Sequence, residues 1–168
     1  MKAHEPFQPV QPASVPDRSL TSERTTEMGQ LIPPPSEPPL RRVRPNIVQS
    51  IRAFDPEELH KIAGDLDQHF LYADLSDAHT RQEVLASIAE QFTFPPHFGK
   101  NYDALYDCMT DPLHKSGPQP GFIVVLEHIP ATARFDKEAR EQLLDIFRDA
   151  AEYWSDRQIP FRCFYSFL

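Results

Sequence analysis

Cysteine is scarce in this sequence. The 168 residues include two, Cys108 and Cys163, and neither belongs to a Cys-x-x-Cys pair or to a cluster of cysteine and histidine. This spacing argues against a structural zinc site, and we expect neither a metal nor a cofactor. Because both cysteines lie in apolar runs and the sequence does not open with a secretory signal, we expect a reduced, cytoplasmic protein.

Long apolar runs and basic charge are also in short supply. No apolar run reaches the roughly 18 residues that a membrane-spanning helix needs, so no membrane span is expected. Of the 17 basic and 25 acidic residues, six and five lie in residues 1–45, which leaves 11 and 20, a net charge of −9, for residues 46–168. A domain of this charge repels nucleic acid, whose binding depends on neutralised phosphates, and attracts basic proteins.

Proline is abundant at the beginning of the sequence. Ten of the 18 prolines fall within residues 1–45, where large apolar residues are few. Such a segment cannot offset its ordering entropy, which predicts a disordered Pro-rich tail; a ligand for a proline-binding groove is the less favoured alternative. A folded domain is then expected over residues 46–168, with residues 46–67 as an extension that carries a helix.

Strand and helix signals alternate along this domain, which predicts a small α/β fold with parallel strands. Strands are expected at residues 69–72, 122–126 and 159–168. The middle one is apolar at every position, as in a strand covered on both faces. Helices are expected to begin at Asp55, at Ser76 or Asp77, at Asn101 and at Asp136.

The most informative segment covers residues 94–110 and reads Phe-Pro-Pro-His-Phe-Gly-Lys-Asn-Tyr-Asp-Ala-Leu-Tyr-Asp-Cys-Met-Thr. Asp103 and Asp107 lie four residues apart on its expected helix, with Tyr106 expected beside them on the exposed face and no Lys or Arg within the helix. Like charges at this spacing cost a few tenths of a kcal/mol, because they share one helix face. Such a pair on an exposed helix indicates a cationic partner.

Residues 99–108 read Gly-Lys-Asn-Tyr-Asp-Ala-Leu-Tyr-Asp-Cys. This stretch resembles the binding segment of the barstar family, whose members are intracellular inhibitors of the secreted bacterial ribonuclease barnase. The order of elements is also similar over roughly residues 68–168. The resemblance implies a barstar-like α/β fold, with a small parallel three-stranded sheet packed with helices. It also implies an inhibitor rather than an enzyme. We expect the protein to be monomeric when free.

In the mechanism that the resemblance implies, the 101–110 helix and the preceding loop plug the active site of a basic ribonuclease, where carboxylates replace the substrate phosphate. By position, Asp107 matches the family's central aspartate and Asp103 its companion. The other partner-binding positions carried over are His97, Gly99, Asn101, Tyr106 and Asp149. Three of them, His97, Tyr106 and Asp149, differ in residue type from the family, which favours a related ribonuclease or nuclease toxin over barnase itself as the partner.

Two other functions remain open. The domain could be an acidic interaction or regulatory module whose partner is not a nuclease, which the change at His97 and a long loop at residues 111–121 favour. It could also be a small hydrolase that uses Cys108 and His97. The hydrolase is disfavoured, because Cys108 is expected to face the core while its neighbours face solvent.

Overall fold

A four-stranded parallel sheet forms the centre of the protein. The computed structural model describes Leu40, residues 43–111 and residues 120–168. The expected disordered tail and the long 111–121 loop therefore lie almost wholly outside the described residues. The strands lie in the order β1-β4-β3-β2, and their bounds are β1 Ile47–Ser50, β2 His69–Asp74, β3 Phe122–Ile129 and β4 Phe161–Phe167.

The helices begin at strong local capping signals. Asp55 caps the first and Asp136 the last, as predicted, and the second begins after Thr80 rather than at Ser76 or Asp77. Thr80 is the N-cap in preference to Ser76 or Asp77 because it forms a capping box with Glu83, which satisfies two backbone N–H groups at once. The described residues contain four helices, α1 Pro56–Asp65, α2 Arg81–Gln91, α3 Tyr102–Met109 and α4 Lys137–Asp156.

The parallel α/β fold confirms the prediction, but the sheet has four strands rather than the expected three. The additional strand is β1, which pairs with β4 through contacts such as Ile47 opposite Arg162. Its sequence, Ile-Val-Gln-Ser, is four residues long and half-buried throughout, so it lacks the length and the alternation that identify a strand in advance.

Both faces of the sheet are covered. Side chains alternate along β3, so Val124 and Leu126 belong to the large core under α2, α3 and α4, whereas Ile123 and Val125 face α1. All four are fully buried, as predicted for this strand. Helix α1 docks on the second face, and it lies on the side of the sheet opposite α3. No helix within the described residues is long and apolar enough to cross a membrane.

Candidate partner-binding site

The loop before α3 is anchored from below by two phenylalanines. Phe94 and Phe98 pack against the large core, with their ring centroids 5.1 Å apart, and the Phe98 N–H donates to the Pro95 carbonyl at 2.9 Å. His97 and Gly99 are exposed between these anchors and the helix. The loop therefore presents both residues to solvent on a fixed base, as a partner-binding loop requires.

The first turn of α3 is held by its own cap and by α4. The Asn101 side-chain oxygen accepts a hydrogen bond from the Ala104 N–H at 2.7 Å, so this residue is the N-cap of α3. The Tyr102 hydroxyl donates to the Ala139 carbonyl at 3.3 Å, and the Arg81 guanidinium lies 4.0 Å from the centre of its ring. Asn101 thus has a structural role that the resemblance did not reveal.

The last turn of α3 is held by α4. The Trp154 indole N–H donates to the Met109 carbonyl at 2.9 Å, and both residues are buried. That carbonyl is one of the last four of the helix and has no acceptor role within it, so the indole supplies the missing hydrogen bond. Leu105 is fully buried between the two ends. The helix is therefore fixed along its length, with one face left to solvent.

The solvent face carries the two predicted carboxylates. Asp103 and Asp107 are exposed, and neither forms a hydrogen bond or an ion pair with any described residue. Nearby acids on α4 behave differently, since Glu141 and Asp145 both pair with Arg148, at 3.2 and 2.7 Å. Neither carboxylate on α3 is therefore neutralised by an ion pair within the described residues, although Arg81 and Lys100 line a pocket of about 320 Å³ together with Asp103.

A groove of about 430 Å³ lies between α3 and α4, and we name it the acidic groove. It brings Asp149 to the same surface as Asp103 and Tyr106, although Asp149 lies far away in the sequence. The other lining residues are Ile146, Glu152, Tyr153 and Asp156. Of the predicted site residues, His97, Gly99, Asn101 and Asp107 are not among those that line the groove.

Glu152 and Asp156 were not predicted as site residues. They follow Asp149 by three and seven positions on α4, a spacing that places all three on one helix face, so the sequence did contain a signal. That signal is weak, because a run of acids on a long helix most often marks a solvated face. Only the packing of α4 against α3 turns this face into the wall of a groove.

Two expectations about α3 need correction. Tyr106 is half-buried rather than exposed, and Cys108 is half-buried rather than part of the core. Burial raises the pKa of the Cys108 thiol, and the charges of Asp107 and Asp111 raise it further. A nucleophilic thiolate needs the opposite surroundings, and no hydrogen bond joins Cys108 to His97. The raised pKa of Cys108 and the missing contact with His97 both disfavour a hydrolase that uses these two residues.

Metal-ligating side chains do not converge in the described part of the chain, where no group of three or more His, Cys, Asp and Glu residues is placed to hold an ion. The acidic groove therefore presents separate carboxylates on a surface rather than a chelating cluster. This arrangement suits several cationic side chains of a protein better than one small ion.

Comparison with known proteins adds to this geometry. A search of curated proteins finds no match. A family model described as Barstar (barnase inhibitor) matches residues 68–166, more than half of the chain. The match includes the anchored loop, α3 and the wall of the acidic groove on α4, and it begins after α1. The chain belongs to the barstar family.

Proposed function

We propose that this protein inhibits a basic ribonuclease, or a nuclease toxin of similar charge, by placing α3 and the loop before it in the active site. The observation that carries the proposal is the exposed pair Asp103 and Asp107, which form no ion pair within the described residues, on a helix fixed at both ends. The matched family description supports it, since it names barnase inhibition.

The chemistry of the partner explains why carboxylates suit this task. A ribonuclease stabilises the charge that develops on a phosphate during cleavage, so its active site gathers cationic side chains in a cleft. A carboxylate accepts two parallel hydrogen bonds from an arginine, which orients the pair as well as strengthening it. Because α3 is already ordered in the free protein, binding does not have to order it.

The acidic groove extends this negative surface beyond α3. Asp149, Glu152 and Asp156 place three further carboxylates on the adjoining face of α4, beside the half-buried ring of Tyr106. Complementary charge of this extent speeds the encounter of two proteins more than it tightens their complex. We therefore expect the association rate with the nuclease to fall steeply as salt shortens the Debye length to about 8 Å at ~0.15 M.

The experiment is an RNA-cleavage assay in which a panel of basic ribonucleases is titrated with this protein and with two variants. Asp107→Ala should weaken inhibition by about 2 kcal/mol or more, roughly 30-fold, which is a general scale for central interface residues to which the barnase–barstar pair itself contributes. Asp145→Ala is the control, because Asp145 is an exposed acid on α4 that is already paired with Arg148. Inhibition that survives Asp107→Ala, or falls equally with Asp145→Ala, would contradict the assignment.

An acidic interaction module with a non-nuclease partner remains the second candidate. His97 is exposed and is one of the three positions whose residue type differs from the family in the resemblance, which favours a partner surface that differs from a barnase active site. In that case no ribonuclease of the panel would be inhibited, while capture of a basic protein would still depend on Asp107. Under either candidate we infer a non-enzymatic, cytoplasmic protein that is monomeric when free.

A further inference from the structure

A second, larger cavity lies on the other face of the sheet, beside the N-terminal end of α1. We name it the α1 groove; its volume is about 630 Å³. It is separate from the site on α3, because α1 and α3 cover opposite faces of the sheet. Its described lining residues are Asp55, Pro56, Glu57, His60, Phe70, Tyr72 and Glu127.

Aromatic rings form the floor of this groove. Phe70 and Tyr72 lie on the same side of the edge strand β2, with ring centroids 6.5 Å apart and planes 16° from parallel. His60 stacks on Phe70 at 4.7 Å. Helix α1 buries Leu59 and Ala63 over the neighbouring strands and leaves Phe70 and Tyr72 only half-buried. His60 therefore covers one face of Phe70, and the half-buried ring of Tyr72 lines the groove beside it.

Carboxylates form its walls. The Tyr72 hydroxyl donates to Glu127 at 2.5 Å, which fixes one carboxylate beside the aromatic floor. Burial raises the pKa of Tyr72, and the hydrogen bond to Glu127 raises it further, so the hydroxyl stays a donor. Asp55 and Glu57 also line the groove at the start of α1, where the Asp55 carboxylate accepts a hydrogen bond from the Glu57 N–H. No Lys or Arg occurs among the described lining residues.

We propose that the α1 groove binds an arginine side chain of a basic protein partner, as a second contact separate from α3. A guanidinium is flat, so it can stack on the half-buried ring of Tyr72, beside the Phe70 ring that His60 covers. Its fork of N–H groups matches a fixed carboxylate such as Glu127. A lysine ammonium would gain the charge attraction but not the stacking. Helix α1 precedes the residues matched by the barstar model, whereas Phe70, Tyr72 and Glu127 lie within them.

The test is a residue-resolved NMR titration of the full chain with the blocked tripeptide acetyl-Gly-Arg-Gly-amide. The matched probe carries citrulline in place of arginine, which keeps the shape and removes the charge. We expect the arginine probe to shift the backbone signals of Phe70, Tyr72 and Glu127, and the citrulline probe to leave them in place. Equal shifts with both probes, or shifts confined to α3 and α4, would overturn the proposal.

Two variants on the first turn of α1 sharpen the result. Glu57→Gln removes a carboxylate that lines the groove, and Glu58→Gln removes an equally exposed one that does not. Both changes alter the charge near the helix N-terminus in the same way, so they differ chiefly in their position relative to the groove. Glu57→Gln should lower the affinity for the arginine probe about twofold to fivefold, and Glu58→Gln should leave that affinity unchanged. Equal weakening by both would show that only the overall acidic charge attracts the probe.

Because the signals are assigned residue by residue, this outcome is independent of the ribonuclease assay. If the arginine probe does not bind at the α1 groove, the proposal for the site on α3 is unaffected. If no ribonuclease is inhibited, the proposed arginine contact at the α1 groove is unaffected.

Discussion

Replacing Asp107 with asparagine should make the free protein more stable while it weakens the proposed complex. Asp107 lies in the last turn of α3, which contains no basic residue, so its charge faces the negative end of the helix dipole. It also follows Asp103 by four positions, within reach of like-charge repulsion. Asparagine has nearly the size and the helix propensity of aspartate, so the change removes mainly the charge.

The magnitude follows from these two contributions. Relief of the repulsion is worth about 0.2–0.5 kcal/mol, and removal of a charge from the wrong helix end about 0.3–1 kcal/mol. Because the carboxylate is exposed and screened, the lower part of the combined range applies. We expect the free energy of unfolding to rise by about 0.5–1 kcal/mol.

Asp103→Asn is the matched control. Asp103 lies in the first turn of the same helix, where its charge is favourable to the dipole. Removing it relieves the same repulsion but loses this attraction, so the two effects nearly cancel. The free energy of unfolding should change by less than about 0.5 kcal/mol.

Urea unfolding at neutral pH measures both variants, first at low ionic strength and then near 1 M salt, where the Debye length is about 3 Å. The gain from Asp107→Asn should shrink at high salt, because both of its sources are electrostatic. A loss of stability, a gain that salt does not change, or an equal gain from Asp103→Asn would refute the reasoning.

Two further predictions concern hydrogen bonds that hold elements of the fold together. Trp154→Phe should lower the free energy of unfolding, measured in urea, by about 1–3 kcal/mol, because the buried Met109 carbonyl loses its hydrogen-bond donor. The control Tyr153→Phe should change it by less than about 0.5 kcal/mol. Equal effects of the two variants would contradict the importance of that hydrogen bond. The hydrogen bond between His128 and Asp74, at 3.0 Å, raises the pKa of His128 above its usual 6.5 and lowers that of Asp74 below its usual 3.8. The stability that this pair adds is therefore lost as pH rises through the raised pKa of His128 and as pH falls through the lowered pKa of Asp74. His128→Asn, which suits the positive φ of 57° at this position, should reduce stability most near about pH 5.5 and least near about pH 9; a difference that does not vary with pH would contradict it.

Local signals in the sequence were enough to predict most elements. Asp55 and Asp136 were recognised as helix caps, because capping depends on residues within one turn of each other. The apolar run beginning at Phe122 was recognised as a strand covered on both faces. Strand β1 was missed for the opposite reason, since its four residues become a strand only by pairing with β4 at the far end of the chain.

Part of the candidate site could also be predicted from local sequence, and part depends on tertiary packing. The spacing of Asp103 and Asp107 placed both on one face of α3, and the structure leaves that face open to solvent. The spacing on α4 puts Glu152 and Asp156 on one face with Asp149, but it does not show that this face would line a groove with α3. No local pattern indicated that the Trp154 indole would donate to the end of α3. Those contacts depend on how α4 packs, which no short segment encodes.

What the sequence determined by itself is therefore the charge, the helix that displays it and the family to which that helix points. What the tertiary structure alone decided is which distant acids join that charge, how firmly the helix is held, and that α1 closes the second face of the sheet over an aromatic and acidic groove. The physical reason is range: caps and helix faces arise from residues a few positions apart, whereas grooves arise from surfaces that meet only when the whole chain has folded.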